Sequence, residues 1–148
     1  MPARARWSRL PIIGLVMMLT TAATARADTI AFSAELSGAA QVPVNPSKGK
    51  GAAIATYDTA TKVLRWSGSY TGTTSQPIAF HFHGPADATK NGPVVVNIEK
   101  FASPFEGQAT LTEAQAADLL AGLWYLNLHT PSYPGGELRG QVVGAKAK

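Results

Sequence analysis

The chain contains three histidines, His81, His83 and His129, and they are its only concentrated chemistry. An imidazole serves as metal ligand, general base or pH-dependent charge, according to its surroundings. His81 and His83 alternate with phenylalanine in the run Ala79-Phe80-His81-Phe82-His83, so an extended strand points both to one side. They then lie about 6.6 Å apart along the strand, near enough for both rings to reach one ion through bonds of about 2.0 Å. His129 ends a second alternating run, with Trp124, Leu126 and Leu128 on one face and Tyr125, Asn127 and His129 on the other. If the aromatic and leucine faces build the core, all three histidines look outward. Should the two strands be neighbours, the three rings converge.

The donor atoms restrict the metal. The sequence has no cysteine, and its three methionines, Met1, Met17 and Met18, all precede residue 28. Without thiolate or thioether, blue-copper and thioether Cu(I) sites are excluded; three imidazoles suit Cu(II), Zn(II) or Ni(II), with Cu(II) bound most tightly. Water, Asp87 or Glu137 are candidates for a fourth position. The competing reading is structural: His81 and His83 hydrogen-bond loop backbone and pack the Gly84-Pro85 turn. Other chemistry is poorly supported. Ser67, Ser69 and Ser132 lack a nucleophile elbow, and Gly135 to Gly140 follows no strand-to-helix pattern, which excludes a phosphate loop. Glu137 and Arg139 alternate on one strand and are expected to form a surface ion pair. Trp66 and Trp124 are expected in the core rather than in a sugar-stacking platform.

The elements that must position the histidines are short strands. Ile30 to Leu36 reads as a strand, Gln41 to Gly51 as an irregular loop, and Ala52–Tyr57 with Lys62–Tyr70 as a hairpin across Asp58–Thr61. Pro77–His83, Val94–Ile98, Gln108–Leu111, Leu123–His129 and Glu137–Val143 complete the set, with a tight turn at Pro134-Gly135-Gly136. One segment switches period. Thr112 and Gln115 form a capping box, Ala116, Leu119 and Leu120 make a helical stripe, and Gly122 ends a helix over about 112–121. This pattern predicts an all-β fold, an antiparallel β-sandwich of Greek-key or immunoglobulin-like type with one short helix.

The 148 residues carry a formal net charge of +4, but the basic excess is confined to one end. Arg4, Arg6, Arg9 and Arg26 precede Asp28, and the nine basic residues beyond them are matched by nine acidic ones. A neutral domain lacks the counterion-release drive of nucleic-acid binding, so nucleic-acid partners are not expected. The basic start, the apolar run Leu10–Leu19 and the small residues ending at Ala27 read as a cleaved signal peptide over 1–27. Ten residues span only about 15 Å as a helix, about half a bilayer core, so no membrane span is expected after cleavage. Residues 28–148 are then one exported domain, periplasmic or extracellular, stabilised by an ordinary core in place of disulfides.

Several stretches resemble the CHRD domain family, the module repeated in the secreted developmental protein chordin and also found in exported bacterial proteins. They are Leu36-Ser37-Gly38-Ala39-Ala40-Gln41-Val42-Pro43, His81-Phe82-His83-Gly84-Pro85-Ala86 and Gly92-Pro93-Val94-Val95. The longest runs from Leu123 to Gln141, and the resemblance covers about residues 32–143. It implies a binding module, and His81, His83 and His129 match histidine positions of the family. A looser likeness to the His-x-His strand of copper-zinc superoxide dismutase covers only a few residues. The expected function is therefore a non-enzymatic exported binding protein that holds copper, otherwise zinc, through His81, His83 and His129. The alternatives are a module for an extracytoplasmic protein or matrix partner with structural histidines, and a copper-dependent dismutase- or oxidase-like enzyme.

Overall fold

The computed structural model describes residues 28–144; the expected signal peptide lies outside the described residues. In chain order the elements are β1 (Thr29–Ser37), a 3-10 turn (Gly38–Ala40), β2 (Lys50–Asp58), β3 (Val63–Thr71), β4 (Ala79–His83) and β5 (Val94–Asn97). They continue with β6 (Phe105–Thr110), α1 (Glu113–Leu120), β7 (Tyr125–Thr130), β8 (Tyr133–Gln141) and β9 (Val143–Gly144). The strands form one antiparallel sheet in the order β5-β4-β7-β8-β1-β2-β3-β6, with β9 paired to β1.

The expected all-β antiparallel fold with a single short helix is what forms. The finer expectation of two immunoglobulin-like layers is not what the hydrogen bonding draws: one continuous sheet curls nearly into a barrel. The closure is visible in the core. Trp66 of β3 meets Phe82 of β4 edge-on at 5.1 Å between centroids, although four strands separate β3 and β4 in the sheet order. Phe80 of β4 and Phe105 of β6 do the same at 4.8 Å. A sheet wrapped around a single interior brings those faces together, and β5 and β6 are the two ends of its strand order. The 98–104 connection crosses that seam. Ile98 is buried in it, Tyr70 Oη donates to Phe101 O, and Ser103 Oγ bonds both the N–H and the C=O of Tyr70.

Local sequence signals appear where they were expected. Thr112 Oγ1 accepts from Gln115 N–H while the Gln115 side chain accepts from Thr112 N–H, completing the capping box. At the other end Gly122 is left-handed (φ 73°), and Gly122 N–H and Leu123 N–H bond back to Leu119 O and Asp118 O. Trp66 and Trp124 are both core residues. The last hairpin differs from expectation. Strand β8 begins at Tyr133, and Pro134–Gly136 bulge out of its pairing with β7 instead of forming the turn. Gly136 (φ 127°) presses so close to Asn127 that a Cβ there would stand 2.2 Å from Asn127 Oδ1.

The expected surface pair of Glu137 and Arg139 is corrected outright. Both side chains are buried, at 0% and 1% exposure, and each bonds to groups other than the other. Loops 41–49 and 84–93 cover the face of β7 and β8 that strand alternation assigns to solvent. Glu137 accepts from Ser47 Oγ, Thr74 N–H, Thr74 Oγ1 and Thr130 Oγ1 at 2.6 to 2.9 Å. Burial alone would push its carboxyl up, but these four bonds outweigh burial and hold it below the usual value.

Glu137→Gln removes acceptor capacity from a buried site and leaves hydroxyls unsatisfied, so it should cost on the order of 2–3 kcal/mol in denaturant unfolding. In the wild type the carboxylate's contribution is fully present above its ordinary unfolded value near 4.5 and is lost as pH falls through the lower folded value. Acid titration of stability should therefore lose that component below about pH 4.5 in the wild type and lack it in the variant.

Candidate metal centre

Strands β4 and β7 are neighbours, with Ala79 opposite His129, His81 opposite Asn127 and His83 opposite Tyr125. The register keeps Phe80, Phe82, Leu126 and Leu128 inside and sends the three histidines to the same outer face. Ring centroids are 5.5 Å apart for His81 and His83, 5.1 Å for His81 and His129, and 6.0 Å for His83 and His129. One nitrogen from each ring lies within 4.8 Å of the other two. The closest pair, His81 Nδ1 and His129 Nε2, is 3.3 Å apart. Two nitrogens bound tetrahedrally to one ion at about 2.0–2.1 Å stand roughly 3.4 Å apart, so that pair is already spaced for an ion.

Backbone carbonyls fix two of the three tautomers. Pro134 O accepts from His129 Nδ1 at 2.9 Å, and Gly92 O accepts from His83 Nδ1 at 2.9 Å. A carbonyl can only accept, so both protons sit on Nδ1 and both Nε2 atoms carry a lone pair. This is the arrangement in which metal-binding imidazoles are held by an outer carbonyl. His83 Nε2 is buried and has no protein partner. His129 Nε2 must accept from its neighbour, which makes His81 Nδ1 the donor between them. For that nitrogen to become a ligand, the His81 proton must move to Nε2 or leave.

Electrostatics favour the neutral form of His81 and His83. Burial, followed by the charge of His129, holds His81 below its usual value. For His83 burial is again the main cause; the Gly92 hydrogen bond opposes it, while His81, His129 and Arg139 add to the lowering. Neutral imidazole is the form that binds metal.

The two carboxylates named as a fourth ligand are engaged elsewhere. Glu137 is enclosed by its hydroxyl donors, and Asp87 bonds Thr89 and Lys90, which holds its carboxyl down at about 2. The tight cluster of potential metal-binding groups among the described residues consists of the three histidines alone.

Strand alternation did not reveal what surrounds the rings. Tyr125 is buried and stacks on His83 at 5.0 Å with an 11° interplanar angle. Its hydroxyl accepts from Gly92 N–H and donates to Gly92 O, the carbonyl that holds His83. Gly84, expected to end β4, is also a contact glycine: a Cβ there would stand 2.7 Å from Trp124 Cδ1. The visible signal for Tyr125 was only its place on the polar face two residues from Asn127.

Among the described residues no helix is long and apolar enough to cross a membrane. No curated protein and no solved structure matches the chain. A family model, the CHRD domain, matches residues 32–142, a stretch that contains every strand from β2 to β8 and all three histidines. The chain therefore belongs to the CHRD domain family.

Proposed function

We propose that this protein is an exported binding module whose His81, His83 and His129 hold a divalent transition metal, with copper(II) preferred and zinc(II) second. One observation carries the reading. Two imidazoles are tied at Nδ1 by backbone carbonyls, which leaves His129 Nε2 3.3 Å from the His81 ring and His83 Nε2 buried without a protein partner, in a cluster with one nitrogen of each ring within 4.8 Å of the others. Unlike the unpartnered indole N–H groups of Trp66 and Trp124, the unpartnered His83 Nε2 is a lone-pair donor, the kind of atom that binds a metal ion. The all-nitrogen donor set and the usual affinity order favour copper(II) over zinc(II). The charge-neutral domain and the N-terminal export pattern support a periplasmic or extracellular setting, where the metal would be captured or buffered without turnover. The family membership supports binding as the general role. A second reading, a protein- or matrix-binding module with structural histidines, draws on the same carbonyl bonds, which hold the loop and the β7–β8 hairpin whether or not an ion is present.

Calorimetric titration of the exported domain with copper(II) and zinc(II) tests the reading. The His81→Ala, His83→Ala, His129→Ala triple variant should lose affinity on the order of 100-fold or more. Equal affinity in wild type and variant would leave the structural reading standing. By linkage, metal at about 100 times its Kd should add about 2.7 kcal/mol and raise the wild-type Tm by on the order of 10 °C, with no rise in the variant.

Protons compete with the metal for the same nitrogens. Because His81 and His83 are held below their usual 6.5, affinity should persist through that pH and fall only as the folded values are crossed. The same titration repeated between pH 8 and 5 checks this; loss of affinity already complete above pH 6.5 would contradict it.

A further inference from the structure

Arg139 is one of the largest fully buried side chains, yet neither ion pair among the described residues includes it. A buried guanidinium is costly, and replacing such charges with apolar groups of similar volume is often neutral or stabilising. Its presence asks for a use other than stability. The fork of its donors supplies one. Nη1 donates to Asn91 Oδ1 at 2.9 Å, and Nη2 donates to Asp87 O at 3.0 Å and Lys90 O at 2.8 Å. Three acceptors of one short loop are thus held by a single planar group, which a lysine's point charge could not reproduce.

The next residue of that loop is Gly92, whose carbonyl accepts the His83 Nδ1 proton. Tyr125 links the same parts. The Arg139 guanidinium carbon lies 3.6 Å over its ring centroid, its ring stacks on His83, and its hydroxyl bonds both the N–H and the C=O of Gly92. We infer that Arg139 is a positioning residue: through the 87–92 loop and Tyr125 it fixes the Gly92 carbonyl, and so holds His83 with its proton on Nδ1 and its buried Nε2 unprotonated and without a protein partner. The consequence for metal affinity rests on the metal reading above; the consequence for the His83 tautomer does not.

The test therefore has two readouts on three variants. Long-range proton–nitrogen NMR of the nitrogen-15-labelled protein without metal reports which His83 nitrogen carries the proton at neutral pH. The wild type should show one tautomer, protonated at Nδ1. Arg139→Lys keeps the charge but not the fork, and should give a mixture with substantial Nε2 protonation. Tyr125→Phe keeps the ring stack but loses both bonds to Gly92, and should shift the tautomer in the same direction; it covers the case in which the Arg139 variant fails to fold. Gly122→Ala, strained at a left-handed helix end and bonded to neither Gly92 nor Arg139, should lower Tm while leaving the tautomer as in wild type.

Copper(II) and zinc(II) titrations accompany the spectra. Affinity should fall 10- to 100-fold in the Arg139 and Tyr125 variants, the usual effect of removing an outer-sphere partner, and stay unchanged in Gly122→Ala. An unaltered Nδ1 tautomer in both Arg139→Lys and Tyr125→Phe would overturn the inference. A wild type that binds neither metal, but whose variants shift the tautomer as stated, would sink the metal reading and uphold the positioning role.

Discussion

The pairing of β4 with β7 is the constraint from which the site follows. In a strand the side-chain period is two, so the register that puts Phe80 and Phe82 beside Leu126 and Leu128 inside must put His81, His83 and His129 outside. A slip of β4 by one residue would turn His81 and His83 toward the core and expose Phe80 and Phe82, a change whose cost makes the register effectively unique. The histidines inherit their common face from the hydrophobic pattern of their neighbours. Their convergence then needs only that the two strands be adjacent.

A second layer refines that placement. The outer face of β7 and β8 is covered by loops 41–49 and 84–93, so its polar side chains lie in the interior and must find partners there. Asn127 accepts from Gln41 Nε2 and donates to Gly135 O, Glu137 collects its four donors, and Arg139 holds the 87–91 carbonyls and amide. The polar layer is almost fully satisfied, which makes it a rigid support for the rings on its border. The carbonyls that orient two of those rings come from its loop and its bulge: Gly92 lies in the 84–93 loop and Pro134 in the β8 bulge.

Much of this was legible in the chain. The alternation of Phe80-His81-Phe82-His83 and of Leu126-Asn127-Leu128-His129 fixed which residues face the core, because hydrophobic burial and strand geometry act on the same period. Thr112, Gln115 and Gly122 marked the helix because capping is a local hydrogen-bonding problem with a local solution. The extent of β8 was not legible: Pro134-Gly135-Gly136 has turn composition, and only Asn127, nine residues earlier, explains why Gly136 must lack a Cβ. Nor was the burial of Glu137 and Arg139, since alternation distinguishes two faces of a strand but cannot say that a loop will roof one of them.

Residue order alone thus located most of the strands, the helix ends and three candidate ligands, which depend on spacings of a few residues, and it carried the family resemblance over most of the chain. Tertiary structure decided that the sheet curls nearly closed, that β4 lies beside β7 across more than forty intervening residues, and which ring nitrogen of His83 and His129 carries the proton. The physical reason is one of range. Propensity, capping and amphipathicity are short-range, whereas a tautomer is set by whichever carbonyl folding brings to the ring, and the partners Gly92 and Pro134 are chosen by loop packing and a strand bulge.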